Sequence, residues 1–328
     1  MSIRWREAMA AALYGPGGFF VAGSAPAAHF RTSGLASPLF GAAMLRLVSA
    51  VDEALGSPAR LDVVDVGAGR GELLRTLSEL APAPLAARLR LTAVELATRP
   101  AGLPAAVEWR GDLPERVHGV LLAIEWLDNV PLDVAEIDAE GVPRYLLVDP
   151  ATGSEAPGPP VDGADAAWLR RWWPATGRPP GARIELGGPR DAAWAAALSR
   201  LERGTALAVD YGHVSDGRPA LGSMAAFRAG RQVPPVPDGS CDITAHVAID
   251  AVAEAGGIAY TLISQREALR ALGVEGARPP LSLAASDPAG YVRGLAAASA
   301  AAELIDPAGL GGHYWLMHSK GIPDPLRR

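Results

Sequence analysis

The chain of 328 residues contains a single cysteine, Cys241. That count excludes an internal disulfide and a cysteine-rich metal site, and the neighbours of Cys241 supply no basic pattern that would activate its thiol. Lysine is almost absent: Lys320 is the only one, so nearly all basic charge is arginine. With the abundant alanine, this reads mainly as GC-rich coding. Positive charge is also short overall, with 30 basic against 36 acidic residues and a net charge of −6. Nonspecific nucleic-acid binding needs a basic face and is therefore not expected as the main role. No run of about 18 uncharged apolar residues occurs, so no spanning helix is expected. The opening "MSIRWREAMAAALYGPGG" lacks the apolar core and cleavage site of a signal peptide, which leads to the expectation of a soluble, cytoplasmic protein. What the chain has in quantity is hydrophobic residues, 49%, and length enough for one large α/β domain with insertions or for two domains.

Between residues 61 and 124 short apolar runs alternate with helical patterns: "LDVVDV", "ELLRTLSEL", "LRLTAVEL", "AVEWR" and "VHGVLLAIE". Alternation of this kind is the βαβ signature of a doubly wound, mostly parallel sheet. "GTALAVDYG" at 204–212 is a further buried strand, and the tail "GGHYWLMHSK" a final one. The Pro- and Gly-rich stretch 150–163 opens an insertion expected to run to 203, with helices around "AAWLRRWW" and "DAAWAAALSRLER". Residues 1–50 form an N-terminal lid and helical segment, and 51–149 with 204–328 form the core. "PVPDGSCDITAHVAIDAVAEAGG" reads as a loop followed by a capped helix from about Thr244.

The chemistry-bearing stretch is "LDVVDVGAGRGELLRT", residues 61–76. A first strand ends in Asp65, and the chain then turns through Gly67, Gly69 and Gly71. A dinucleotide fingerprint, G-x-G-x-x-G, would need a third small residue where Glu72 stands, which weakens a nicotinamide reading. A phosphate-cradling loop would need a following Lys and Ser or Thr, and neither is there. The remaining pattern, D-x-G-x-G-x-G, suits a nucleotide-like cofactor with no phosphate to hold. S-adenosylmethionine (SAM) fits, since close backbone approach accommodates its amino-acid part and a carboxylate receives its ammonium group. Glu95, at the end of the second strand, is placed to accept from both ribose hydroxyls, and Asp112, beside Leu113, from an adenine amino group. The plain structural alternative for each acid is a helix N-cap or a solvated loop carboxylate.

The ordered pieces "ALYGPGGFF", "HFRTSGLASPLFG", "DVGAGRGELL", "AIEWLDNVPLDV", "LAVDYGH", "PDGSCDITAHV" and "QREALRALG" span about residues 8–275. In them the chain resembles the MidA-like SAM-dependent methyltransferases, which include the mitochondrial complex I assembly factor that methylates an arginine of a complex I subunit. The resemblance implies a SAM-dependent methyltransferase fold, with the family's glycine motif on Asp65, Gly67, Gly69 and Gly71. Its E-x-x-D-A-x-P motif falls on Glu125, Asp128, Asn129 and Pro131, with Asn129 in place of the alanine. Its aspartate-tyrosine-glycine falls on Asp210, Tyr211 and Gly212, and its D-x-T-x-x-V on Asp242, Thr244 and Val247. The N-terminal segment departs from the family's "GDFVTSPE", having "AHFRTSGLAS" with Arg31.

Methyl transfer from a sulfonium asks the protein mainly to position a nucleophile, without metal or covalent catalysis. An arginine substrate presents a guanidinium that carboxylates clamp. Glu125 closes the fourth strand, Asp128 lies three residues on, and the two are the first choice for orienting it; either Asp210 or Asp242 could complete a carboxylate ring. Asp242 or Thr244 could equally be a helix N-cap. His213 and His246 read more readily as structural histidines than as proton acceptors, and Trp168, Trp172 and Trp173 as core more readily than as a docking patch. The leading expectation is a methyltransferase acting on a protein. A small-molecule methyltransferase and a SAM-binding assembly factor without turnover stand beside it, and a nicotinamide oxidoreductase comes last.

Overall fold

The computed structural model describes residues 1–21 and 38–327. The motif around Arg31 lies outside them. The central sheet has seven strands, here β1 (Leu61–Val66), β2 (Leu89–Val94), β3 (Val107–Arg110), β4 (Val117–Ile124), β5 (Leu201–Asp210), β6 (Tyr260–Ser264) and β7 (Tyr314–Lys320), in the order β6-β7-β5-β4-β1-β2-β3. Strands β1 to β5 run parallel. The sheet as a whole is mixed, because β7 inserts antiparallel between β5 and β6. β1 and β4 are buried on both faces, which is why they read as continuous apolar runs and not as alternating ones.

Helices cover each face. On one side Phe40, Met44, Leu47 and Val51 of the helix Pro38–Ala54 recur at helical spacing and join Leu73, Leu74 and Leu77 of the helix Glu72–Leu80 in one core with β1, β2 and β4. The two helices meet closely at Gly41, where a Cβ would come within 2.4 Å of the Thr76 methyl. On the other side Trp194 and Leu198 of Gly188–Ser199 pack with Val252 and Ala253 of Ile249–Ala255. No described helix is long and apolar enough to cross a membrane.

A second, antiparallel sheet lies apart from the first. Pro143–Val148 pairs with Ile3–Arg4, Asp133–Ile137 and Glu155–Pro160, and Arg183–Leu186 adds to Asp133–Ile137. The segment 150–203, expected as a helical insertion, thus carries two strands of this sheet besides its helices Gly163–Trp172 and Gly188–Ser199, and β5 of the central sheet already begins within it at Leu201. The strand Glu155–Pro160 keeps three prolines because it is an edge, where a missing N–H costs no ladder bond. Trp168 and Trp173 are buried in the core beneath this sheet.

The helix expected from about Thr244 begins only at Ile249. Asp242–Thr244 is instead a strand, paired antiparallel with Ala225–Arg228. Two reasons stand out. Ile243 and Thr244 are β-branched and favour extended backbone. The two capping candidates have also committed their side chains elsewhere, Asp242 to Asn129 and Thr244 to Asp128, so neither caps the helix.

Candidate active site

A cavity of about 920 Å³ opens at the carboxyl ends of the parallel strands. This is where ligands bind in open α/β sheets, beside the point at which strand order reverses between β1 and β4. Its volume lies at the upper end of the roughly 300–1,000 Å³ of small-molecule sites, enough for a nucleoside cofactor and an incoming side chain together. Asp65, Gly67, Gly69, Glu95, Asp112, Leu113, Glu125, Asp128 and Asp242 all line it.

At one end the backbone dominates. Gly67, Gly69 and Gly71 have φ of 70°, 58° and 75°, left-handed values that a side chain strains to adopt. A Cβ on Gly67 would meet the Trp126 ring at 2.7 Å, and one on Gly71 the Leu103 side chain at 2.8 Å. Gly71 does not face the cavity; it turns the chain into the helix Glu72–Leu80. Among the described residues, a Cβ on Gly69 would meet nothing closer than the Glu72 carboxylate at 3.9 Å, so these leave space open beside its backbone on the cavity wall. Glu95 fastens the loop: its Oε2 accepts from Gly69 N–H at 3.0 Å, and its Oε1 from Leu96 and Ala97 N–H. Asp112 is exposed at the mouth, 3.4 Å from Arg110. Leu113 is half-buried and packs on the core beneath. Asp65 is buried, and desolvation aided by the Glu95 and Glu72 charges pushes its carboxyl up to about 8.

At the other end side chains dominate. Glu125 follows β4 with φ of 51°, an uncommon conformation for a non-glycine residue, stabilised by its N–H bond to the Val209 carbonyl. Asp128 sits in the short 3₁₀ turn Leu127–Asn129, where its Oδ2 accepts from the hydroxyls of Thr244, at 2.7 Å, and Tyr211. Asn129, in the place of the family's alanine, donates to Asp242 Oδ1 at 2.8 Å. Burial, reinforced by Asp128, pushes the Asp242 carboxyl up to about 8 against the lowering effect of Asn129. Asp210 is not on the cavity wall. Its Oδ2 accepts from the N–H groups of Leu127 and Asp128, at 3.0 and 3.2 Å, so it holds the turn that presents Asp128. Its expected place in the carboxylate ring is corrected to this supporting one: β5 ends beneath the wall, and burial holds the acid well above its usual range.

Three further residues shape this end. Tyr14 donates to the Asn129 carbonyl. Tyr211, whose acidity burial and the neighbouring Asp128 suppress, bridges Asp128 and Thr244. Arg190, buried in the helix Gly188–Ser199, spends its guanidinium on the carbonyls of Asp128, Val130, Ala245 and His246. It ties the two acidic segments together and places a positive charge behind them. Nothing in "GGPRDAAW" marks that role, since an arginine in a helix reads as solvated. His213 is buried against Trp173, and burial holds its imidazole down near 3, in keeping with a structural histidine.

A parallel five-strand core with a flexed glycine loop after β1, a carboxylate after β2 and an apolar-acidic cavity across β1 and β4 defines a SAM-dependent methyltransferase. Residues 45–266 match the family described as "Putative S-adenosyl-L-methionine-dependent methyltransferase". The chain belongs to this family, and SAM is its cofactor. It is similar to a Burkholderia thailandensis protein crystallised with S-adenosyl-homocysteine bound, at 28% identity and a TM-score of 0.81 over 100% of this chain and 91% of that one. A native crystal structure of an uncharacterized protein of the same superfamily from that organism gives 28% identity and a TM-score of 0.77 over 99% and 89%. No curated protein matches the sequence.

Proposed function

We propose that this methyltransferase acts on a protein and that the group methylated is an arginine guanidinium. The observation that carries the reading is the convergence of Glu125, Asp128 and Asp242 on the wall of the cavity that the glycine loop enters. Among the described residues, the arginines lining that cavity, Arg70 and Arg99, belong to the glycine-loop end, and Arg190 behind the acids is turned to backbone carbonyls. A wall on which three carboxylates converge suits a planar cationic nucleophile held by several acceptors.

The residues at the other end fit the cofactor. Gly67 and Gly69 leave room for its amino-acid part, and Asp65 receives the ammonium. Glu95 receives the ribose hydroxyls, and Asp112 and Leu113 border the adenine. When bound, SAM supplies a methyl group on a sulfonium that is already a good leaving group. The chain then has to orient the acceptor nitrogen, exclude water and take up one proton. Glu125 and Asp128 hold the guanidinium; Asp242, which burial keeps largely protonated near pH 7, ionises against the incoming cation before it can receive the proton. The test is transfer of labelled methyl from SAM into a lysate, resolved into protein and small-molecule fractions, with acid hydrolysis of the labelled protein. Labelled methylarginine is expected. Label confined to small molecules would overturn the substrate assignment and leave the methyltransferase.

A further inference from the structure

Trp126 stands where the two ends of the cavity meet. β1 and β4 are paired in parallel with Val66 opposite Ala123, so the glycine loop and the turn Leu127–Asn129 leave the sheet side by side. The left-handed backbone of Glu125 follows β4, and the next residue comes back over the loop. A Cβ on Gly67 would lie 2.7 Å from Trp126 Cδ1 and 3.2 Å from its Cγ. The indole is half-buried: it packs against the core that includes Val66, Ala123 and Leu127, and it lines the cavity together with Gly67 and Asp128.

We infer that the Trp126 ring is the surface that receives the sulfonium of SAM, and that it distinguishes the charged donor from the neutral product, S-adenosyl-homocysteine. The inference rests on the cofactor placement proposed above and is independent of what the methyl acceptor is. With the amino-acid part at Gly67 and Gly69 and the acceptor at the acids, the sulfur between them falls on the stretch of wall that Trp126 occupies. The chemistry suits the group. A sulfonium has no N–H to donate, so a carboxylate would offer it charge attraction alone and, set against the methyl group, would be a competing nucleophile. An indole face attracts a cation through its quadrupole and presents no such lone pair, and tryptophan is the strongest of the aromatic side chains in this respect. On transfer the C–S bond breaks with its electron pair kept by sulfur, the acceptor's lone pair forms the new bond to the methyl carbon, and the sulfur becomes a neutral thioether. The attraction to the ring ends there, so the ring favours donor over product.

Wild type, Trp126→Leu and Trp126→Phe would each be titrated by calorimetry with SAM and, separately, with S-adenosyl-homocysteine. In Trp126→Leu the dissociation constant of SAM is expected to rise about tenfold while that of S-adenosyl-homocysteine stays within about twofold, and Trp126→Phe should fall between wild type and Trp126→Leu for SAM. A difluorinated tryptophan incorporated in place of Trp126 keeps the shape and withdraws charge from the ring face, so it serves even if the leucine variant fails to fold. It should weaken SAM severalfold and leave S-adenosyl-homocysteine unchanged. Equal weakening of both ligands would reduce the ring to packing on Gly67 and overturn the inference while leaving the cofactor placement intact. Unchanged affinity for both would overturn it too, and Gly69→Val titrated alongside would tell whether the placement itself has failed.

Discussion

At the β1–β3 end of the cavity the chain presents backbone, and at the β4–β5 end it presents charge. The first end relies on glycines at left-handed φ and on Glu95, which is bonded to the loop it stabilises. Its specificity comes from close approach, so it is sensitive to a single added carbon. The second end is a set of acids whose lone pairs are partly taken by Tyr211, Thr244 and Asn129, backed by Arg190. On the reading proposed above, its specificity comes from the number and protonation of its carboxylates, so it should be sensitive to charge at constant shape. Variants that change shape at one end and charge at the other therefore separate the two functions.

The largest effect is expected from Gly69→Val. A β-branched residue at φ of 58° is strained, and its side chain would occupy the open space beside the loop. SAM affinity should fall by roughly 1,000-fold or beyond detection, with a cooperative unfolding transition retained. Calorimetric titration measures the first and thermal denaturation the second. Unchanged affinity would detach the glycine loop from the cofactor.

At the opposite end, Asp128→Asn and Glu125→Gln keep shape and remove charge. Methyl transfer in a single-turnover assay should drop by about 1,000-fold, within the span of lost acid–base and positioning catalysis, while SAM affinity stays near wild type. Full activity would sink the assigned roles, and joint loss of SAM binding would move these acids into the cofactor shell. Glu95→Ala is expected to act more weakly and only on the cofactor. Losing hydrogen bonds to a charged acceptor should cost about 1.5–3 kcal/mol of SAM affinity, part of it through a looser Gly69. An unaltered dissociation constant would leave Glu95 as a loop fastener alone.

Why one end was readable and the other only partly so follows from the same contrast. The glycine-loop end is local in sequence: Asp65, the three glycines and Glu95 lie at consecutive strand ends, and periodicity places those ends. β1 to β5, the helix Glu72–Leu80 and the final strand were all legible as apolar runs or amphipathic patterns between Gly and Pro breaks. The acidic end is assembled from distant segments, as in Thr244 bonded to Asp128, 116 residues away, and Arg190 bonded to Ala245, 55 residues away. Asp210 reads as a candidate for the same carboxylate ring as Asp128 because it ends a strand, and only the fold shows one beneath the other. The second sheet was hidden for a related reason. "EAPGPP" is a loop by composition, and its pairing with Pro143–Val148 depends on an edge that no local pattern reveals.

The smallest expected effect is the pH dependence of the cofactor end, and its sign follows from Asp65. Its folded carboxyl titrates at about 8, against an ordinary value of 3.8. An acid raised in this way contributes stability that is complete below about pH 4 and is lost as pH rises toward 8, so the cofactor-free protein should melt at progressively lower temperature across that window. Asp242, also at about 8, adds to the same slope. In the arrangement proposed above, SAM places its ammonium beside Asp65 and would reverse this preference by favouring the ionised form. Binding at pH 7 should therefore release a proton, read as a calorimetric enthalpy that varies with the ionisation enthalpy of the buffer. Affinity should rise less than tenfold between pH 7 and 8, the ceiling for one coupled proton, and then decline as the α-amino group of SAM loses its own proton near 8. Asp65→Asn should flatten the rising limb and abolish the buffer dependence. A wild-type enthalpy independent of buffer at pH 7 would show that Asp65 does not ionise against the cofactor, and would return it to a purely structural place at the end of β1.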